Sequence, residues 1–252
     1  MPQFLVQSGD LDAASGTAVL RGEEARHLLR VFRARPGDAV HVFDGEGRRW
    51  LGQLVGAGRG EARVEGLAPL PTNEAPVALA LIQALPKGER WEWIVEKGTE
   101  LGVLHFHPVH TARTVSRVPA ARGSEKLQRW RKIALAAAKQ CERARVPAIA
   151  APLDLRACLA ALGQPDAEER RLALTERCRG TRAAETVGPV LRVVLAAGPE
   201  GGWSEEDRTA LDAAGFQSWG LGPRILRSET AAVAALAVLQ ARWGDLERPE
   251  CP

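Results

Sequence analysis

The sequence predicts a two-part architecture: a small β-rich module over residues 1–70, then an α/β domain with a mostly parallel sheet over 77–246. Three observations carry this. The first 70 residues hold short β-type runs broken by glycines. After residue 76, apolar strand-like runs alternate with amphipathic helical segments, the pattern of a parallel sheet with helices packed on it. Between the two lies PLPTNEAP, Pro69 to Pro76, whose prolines mark a linker centred on 71–76. With 252 residues, 45% of them apolar, the chain is long enough to bury a substantial core.

In the N-terminal module, AVHVFDGEGRRWLGQLVG (Ala39 to Gly56) sets β-type runs around Asp44-Gly45, a turn dipeptide suited to a hairpin. A helical insert is expected in GEEARHLLRVFR. There Ala25, Leu28, Leu29 and Phe32 recur at helical spacing, and Arg26, His27, Arg30 and Arg33 take other faces. In the second part the strands expected are Val77 to Ala84, Val103 to Val109, Arg171 to Thr175, Val190 to Ala197 and Gln217 to Leu221. Helices fill the gaps. In ERWEWIVEKGTELG an inner face of Trp91, Ile94, Val95 and Leu101 leaves Glu92, Glu96, Lys97 and Glu100 elsewhere. A long helix from about Ser124 to Arg145 has an apolar face of Leu127, Trp130, Ala134, Ala137 and Cys141. Beside it run Arg129, Lys132, Lys139 and Arg143, a stripe that suits either solvent or a phosphate backbone.

Net charge is only +3, and of the 34 basic residues just five are lysines, a balance that tolerates a polyanion without requiring one. The four cysteines, Cys141, Cys158, Cys178 and Cys251, lack the close spacing of a zinc site or a redox dithiol. A reducing compartment is expected. No charged leader and no bilayer-length apolar run is visible, so the expectation is a cytoplasmic protein without a membrane segment. HFHPVH places His105, His107 and His110 close together, but no carboxylate or cysteine completes a set nearby, and no metal is expected.

Chemistry concentrates in two late loops. AAGPEGGWSEED, Ala196 to Asp207, is a glycine loop at the carboxyl end of a strand, with Ser204 and the acids after it marking a helix start. It lacks the lysine of a P-loop and the G-x-G-x-x-G fingerprint, and Glu200 would repel a phosphate. Some twenty residues later, GLGPRILRSETAAVAALAVLQARWG makes a second glycine turn into an apolar helix that Ser228 or Thr230 could cap. Together the two loops could wall one pocket. The first offers carbonyls and a carboxylate to a cation, and the second offers Arg224 and Arg227 to an anion, beside Glu229. A sulfonium cofactor next to a nucleic-acid strand meets both demands.

GPEGGWSEED and LGPRILRSETA resemble the two C-terminal cofactor motifs of the RsmE family, SPOUT-class methyltransferases. EKGTELGV (Glu96 to Val103), RWRKIALAAAKQCERARVP (Arg129 to Pro147) and HLLRVFRARPGD (His27 to Asp38) are similar to further family segments, in the same order along nearly the whole chain. The resemblance implies S-adenosyl-L-methionine as cofactor and N3 of a uridine in 16S ribosomal RNA, free or in the small ribosomal subunit, as target. It implies a PUA-like β-barrel over 1–70, and over 77–246 a SPOUT domain with helices on both sheet faces and a C-terminal trefoil knot. It also implies a homodimer. Matched position by position, the cofactor would be held by Gly198, Pro199, Glu200, Gly201 and Gly202 with Leu221, Gly222, Ile225, Leu226, Arg227 and Thr230.

For catalysis the chemistry of a protonated uridine N3 points to Arg227, steadying the uracil oxygens or a phosphate, and to Glu229 or Glu200, either assisting loss of the N3 proton or capping and bracing its loop. RNA contacts fall to His27, Arg30, Lys97, Arg129, Lys132 and Arg143. One departure is the opening Met1-Pro2-Gln3-Phe4, where members often carry a basic residue before the first aromatic, so no RNA contact is assigned at position 3. Two alternatives remain open: a non-catalytic RNA-binding ribosome-assembly factor, and a SPOUT methyltransferase acting on another RNA.

Overall fold

The computed structural model describes residues 3–58, 60–114, 123–176 and 189–247. Cys178 and Cys251 lie outside them. The chain divides into two compact units, Met1–Glu74 with Leu135–Val146, and Ala75–Ala134 with Pro147–Pro252.

The first unit is a curled sheet of six strands among the described residues, β1 (Gln3–Leu5), β2 (Leu11–Asp12), β3 (Thr17–Arg21), β4 (Ala39–Phe43), β5 (Arg49–Gly58) and β6 (Glu61–Leu70), in the order β1-β4-β5-β6-β3-β2. Only the β1–β4 pair is parallel. The β4–β5 hairpin turns on Asp44, whose Oδ1 accepts from the backbone N–H groups of Glu46 and Arg48 at 2.8 and 3.0 Å. That is why Asp44-Gly45 works as a turn. Register shifts in β5 bend the sheet around a core of Phe4, Leu20, Val42, Leu54 and Val64. The helical insert is shorter than its apolar spacing predicts. α1 (Gly22–Arg26) passes into one wide π-type turn, His27–Val31, which closes with Phe32 N–H on the His27 carbonyl at 3.1 Å. Phe32 and Val31 are left exposed, and His27 stands edge-on to the Phe4 and Phe32 rings.

Within the stretch expected as a linker, 71–76, Glu74 is bonded inside the first unit. Glu74 accepts from Arg143 Nη2 at 2.7 Å and from the Arg145 backbone N–H at 2.9 Å. The stretch Leu135–Val146, grouped by sequence with the α/β part, clusters with the first unit. Gln3 is buried there, and its Nε2 donates to the carbonyls of Ala138 and Arg143 at 3.1 and 2.6 Å.

The second unit is a fully parallel sheet of seven strands among the described residues. They are β7 (Ala78–Ala84), β8 (Val103–His110), β9 (Ala148–Ile149), β10 (Leu153–Asp154), β11 (Glu169–Leu174), β12 (Arg192–Ala197) and β13 (Gln217–Trp219). They run in the order β10-β8-β7-β12-β11-β13, with β9 beside β8. The β12 strand starts at Arg192 and not at Val190, and β9 and β10, two residues each, are too short to show periodicity. Alternation along β7 and β12 sends Leu79, Leu81, Val193 and Leu195 into one core and Ile82, Val194 and Ala196 into another. Helices α2 (Arg90–Glu100), the start of α3 (Gly123–Gln140) and α6 (Ser228–Trp243) cover the first face, and α4 (Leu155–Leu162) and α5 (Glu205–Ala213) the second.

α2 buries Trp91, Ile94 and Val95 at helical spacing, and Gly98 lets it close on β8: a Cβ there would sit 2.8 Å from the Phe106 ring. α3 stops at Gln140 and not at Arg145, because Glu142 turns with φ 60°. The apolar residues of α6 are not gathered on one face. The helix buries Ala232, Ala235, Leu236 and Leu239, yet Val233, Ala234 and Ala237 are only half-buried on the other side, and Val238 is 47% exposed.

Candidate cofactor site

In an open parallel sheet, ligands bind beyond the carboxyl ends of the strands where the strand order reverses. Here β11, β12 and β13 end side by side. After β12 the chain turns tightly through Gly198–Gly202, closed by Gly202 N–H on the Pro199 carbonyl at 2.9 Å, with Gly202 at φ +69°. Trp203 anchors this turn from below. Its indole lies 3.2 Å from where a Cβ on Gly198 would stand, and its Nε1 donates to the Leu174 carbonyl at 2.9 Å. Ser204 then starts α5 with a reciprocal cap, its Oγ accepting from Asp207 N–H at 3.1 Å while Asp207 accepts from Ser204 N–H at 3.0 Å.

The second loop leaves β13 after Trp219, whose carbonyl accepts from Thr175 N–H at 2.9 Å, and Gly222 turns it at φ +97°. Arg227, in extended conformation, is the cap residue of α6, and no side chain caps the helix. The hydroxyl of Ser228, expected from sequence to cap, instead crosses to the first loop. It donates to the Gly198 carbonyl at 2.6 Å and accepts from Gln83 Nε2 at 2.9 Å. Gln83 is fully buried on β7 beside Ala197. One hydroxyl therefore ties both glycine loops to the centre of the sheet.

The loops enclose a cavity of about 420 Å³. Gly198, Pro199, Glu200, Gly201, Gly202, Leu221, Gly222, Ile225, Leu226 and Arg227 all line it. Thr230 does not: it stands exposed two residues into α6. Glu229 does not line it either. Its side chain is 12% exposed and its Oε1 faces Arg90 Nε at 3.4 Å. Glu200 does line it, while pairing with Arg90 Nη1 at 3.1 Å and the Lys87 N–H at 3.3 Å.

Sequence reasoning missed several wall residues. Arg113, just beyond β8, donates to the Gly201 carbonyl at 2.8 Å and lines the cavity. Arg208 on α5 and the segment Leu174–Glu176 after β11 complete it. Arg113, Arg208, Arg224 and Arg227 thus face Glu176 and Glu200 around one space. Arg113 and Leu174–Glu176 are brought in by strand ends distant in sequence from the glycine motifs, and Arg208 follows the first motif on α5.

The proposed RNA residues are scattered. Arg30 and Lys132 are exposed, and His27 is half-buried. Lys97 binds Glu96 and Glu100 at 2.7 and 2.9 Å, contacts that raise its ammonium pKa, with Glu96 the larger cause. Arg129 pairs with Glu92 at 2.6 Å in the open, where an RNA phosphate could compete for it. Arg143 is corrected outright: it is 5% exposed with its guanidinium on Glu74, so it belongs to the interior. Among the described residues no group of three His, Cys, Asp or Glu stands ready to hold a metal, and no helix is long and apolar enough to cross a membrane.

The fold and cavity define a class, an α/β domain of RNA-methyltransferase type that follows a small β module in the sequence. A family model described as an RNA methyltransferase domain matches residues 73–240, and one described as an RNA methyltransferase PUA domain matches 20–65. Ribosomal RNA small subunit methyltransferase E of Synechocystis is 36% identical over 232 residues, 89% of this chain and 73% of that one. Its Mycobacterium bovis counterpart is 36% identical over 261 residues, 100% of this chain and 97% of that one. Among solved structures, the Neisseria gonorrhoeae methyltransferase E bound to S-adenosyl methionine superposes with a TM-score of 0.83 at 32% identity, covering 98% of this chain and 99% of that one. A putative Legionella pneumophila methyltransferase in complex with the same cofactor gives 0.82 at 30%, covering 98% and 100%. The chain belongs to the ribosomal RNA small subunit methyltransferase E family.

Proposed function

We propose that this protein methylates N3 of a uridine in 16S ribosomal RNA, using S-adenosyl-L-methionine held between the two glycine loops. The observation that carries the reading is the Ser228 tie, which draws two separate loops into one cavity of about 420 Å³, a size suited to a nucleoside-bearing ligand. The residues fit that cofactor. Gly202 and Gly222 leave open space where side chains would project, so ligand atoms can lie against main chain. Glu200 and loop carbonyls suit a positive centre.

When bound, the cofactor supplies a methyl group activated by its sulfonium charge. The protein's part is alignment and charge. Uridine N3 carries a proton at neutral pH, and its conjugate base is an anion spread over two carbonyl oxygens. Arg227 on the cavity wall, with Arg113, Arg208 and Arg224, favours that anion. Glu200, the wall carboxylate of the two proposed, receives the proton that the arginines have loosened.

The N-terminal unit is assigned to RNA binding. Phe32, 45% exposed, offers a face for a base, with Arg30 and His27 beside it. Arg129 and Lys132 contribute from α3. The half-open apolar side of α6 supports a homodimer built on that helix. The reading includes the C-terminal trefoil knot and a place in the cytoplasm, with the ribosome.

Calorimetry and thermal unfolding with S-adenosylmethionine test the reading. At a hundredfold excess over Kd, stability should rise by about 2.7 kcal/mol, a shift of roughly 5–10 °C. No heat and no shift would remove the cofactor, and with it the enzyme.

A further inference from the structure

Arg90 opens α2, and its guanidinium lies between two carboxylates from different loops. Nη1 meets Glu200 at 3.1 Å, and Nε stands 3.4 Å from Glu229. Glu200 belongs to the first glycine loop and Glu229 to the first turn of α6, which fixes the end of the second. Neither Arg90 nor Glu229 lines the cavity. Glu229 is nearly enclosed, and its Oε2 is buried without a hydrogen-bond partner, so this carboxylate depends on Arg90 for its counter-charge. Without the cation, two carboxylates converging on one point would push their loops apart. Main-chain geometry alone, set by the Ser228 hydroxyl, does not cancel that repulsion.

We infer that Arg90 is a positioning residue for the cofactor site: it holds the two glycine loops together through Glu200 and Glu229, so the cavity is formed before its ligand arrives. The inference rests on the reading that the cavity takes S-adenosylmethionine. The Arg90 side chain is 41% exposed, so water screens the pairs and the effect is moderate.

The test uses the full chain with Arg90→Ala, Arg90→Lys, Glu229→Gln and the Arg90→Ala/Glu229→Gln double variant. Cofactor affinity is read by calorimetry and turnover by methyl transfer to small-subunit RNA. Arg90→Ala should bind S-adenosylmethionine about tenfold more weakly. KM for the cofactor should rise by a similar factor while kcat at saturation falls by less than about threefold. Arg90→Lys should recover part of the affinity, and the double variant should be no worse than Arg90→Ala. Arg90→Ala within about twofold of wild type, or losses that multiply in the double variant, would overturn the assignment. If Arg90→Ala does not fold, Arg90→Lys and Glu229→Gln read the same coupling, because both keep side-chain volume. Wild-type protein that fails to bind the cofactor ends this inference together with the reading beneath it; wild type that binds, with variants equal to it, ends this inference alone.

Discussion

Replacing Ser228 by alanine should loosen the cofactor site from within. The hydroxyl makes two hydrogen bonds, to the Gly198 carbonyl at 2.6 Å and from Gln83 Nε2 at 2.9 Å, and Ser228 is only 9% exposed. Gln83 is fully buried and its Oε1 already lacks a partner, so its amide has little to fall back on beyond the carbonyls of Ala84 and Ala197 at 2.9 and 3.4 Å. At about 1 kcal/mol for each bond lost, the variant should be less stable by about 2 kcal/mol. In a domain of this size that lowers Tm by roughly 4–8 °C. Because Gly198 lines the cavity, affinity for S-adenosylmethionine should fall as well, tenfold for about each 1.4 kcal/mol transmitted. Ser228→Thr keeps the hydroxyl and should retain most of both properties. Scanning calorimetry and titration calorimetry read the two effects. A Tm within about 1 °C of wild type, with unchanged affinity, would refute the claim that this hydroxyl joins the loops.

Gly222→Val forces a β-branched residue to φ +97° and should cost about 2 kcal/mol, with cofactor affinity falling more than for Gly222→Ala; equal affinities in titration calorimetry would contradict this. Arg143→Ala strands Glu74, whose side chain is 14% exposed, and should lower stability in urea by about 3 kcal/mol, most of it regained by Arg143→Met with Glu74→Leu. Burial, then the neighbouring charge of His105, holds the His107 pKa below its ordinary 6.5. The unfolded chain therefore binds the proton more readily, so stability is full above 6.5 and falls as pH drops below it. His107→Gln should flatten that part of the profile in urea titrations between about pH 7 and 5.

What the sequence made legible was local. Apolar runs set between helical segments named the central strands of the second unit, and Asp44-Gly45 named a turn because one carboxylate can hold two backbone donors. The glycine motifs showed which backbone segments would approach a ligand, and ten of the eleven residues drawn from them line one cavity. The misses arise from partners distant in the chain. Ser228 looked like a cap, since only the fold brings the Gly198 carbonyl and Gln83 to its hydroxyl. Arg143 looked like one more cation on an exposed stripe until Glu74 closed over it. Arg90 and Arg113 sit in no motif, and their roles exist only where strand ends converge.

The central claim is tested most directly by the modified nucleoside itself. Small ribosomal subunits from cells lacking this methyltransferase, incubated with the purified protein and S-adenosylmethionine carrying a labelled methyl group, are digested to nucleosides and resolved by mass spectrometry. The account predicts labelled 3-methyluridine. Label on a ribose or another base, or no label in RNA, would contradict it.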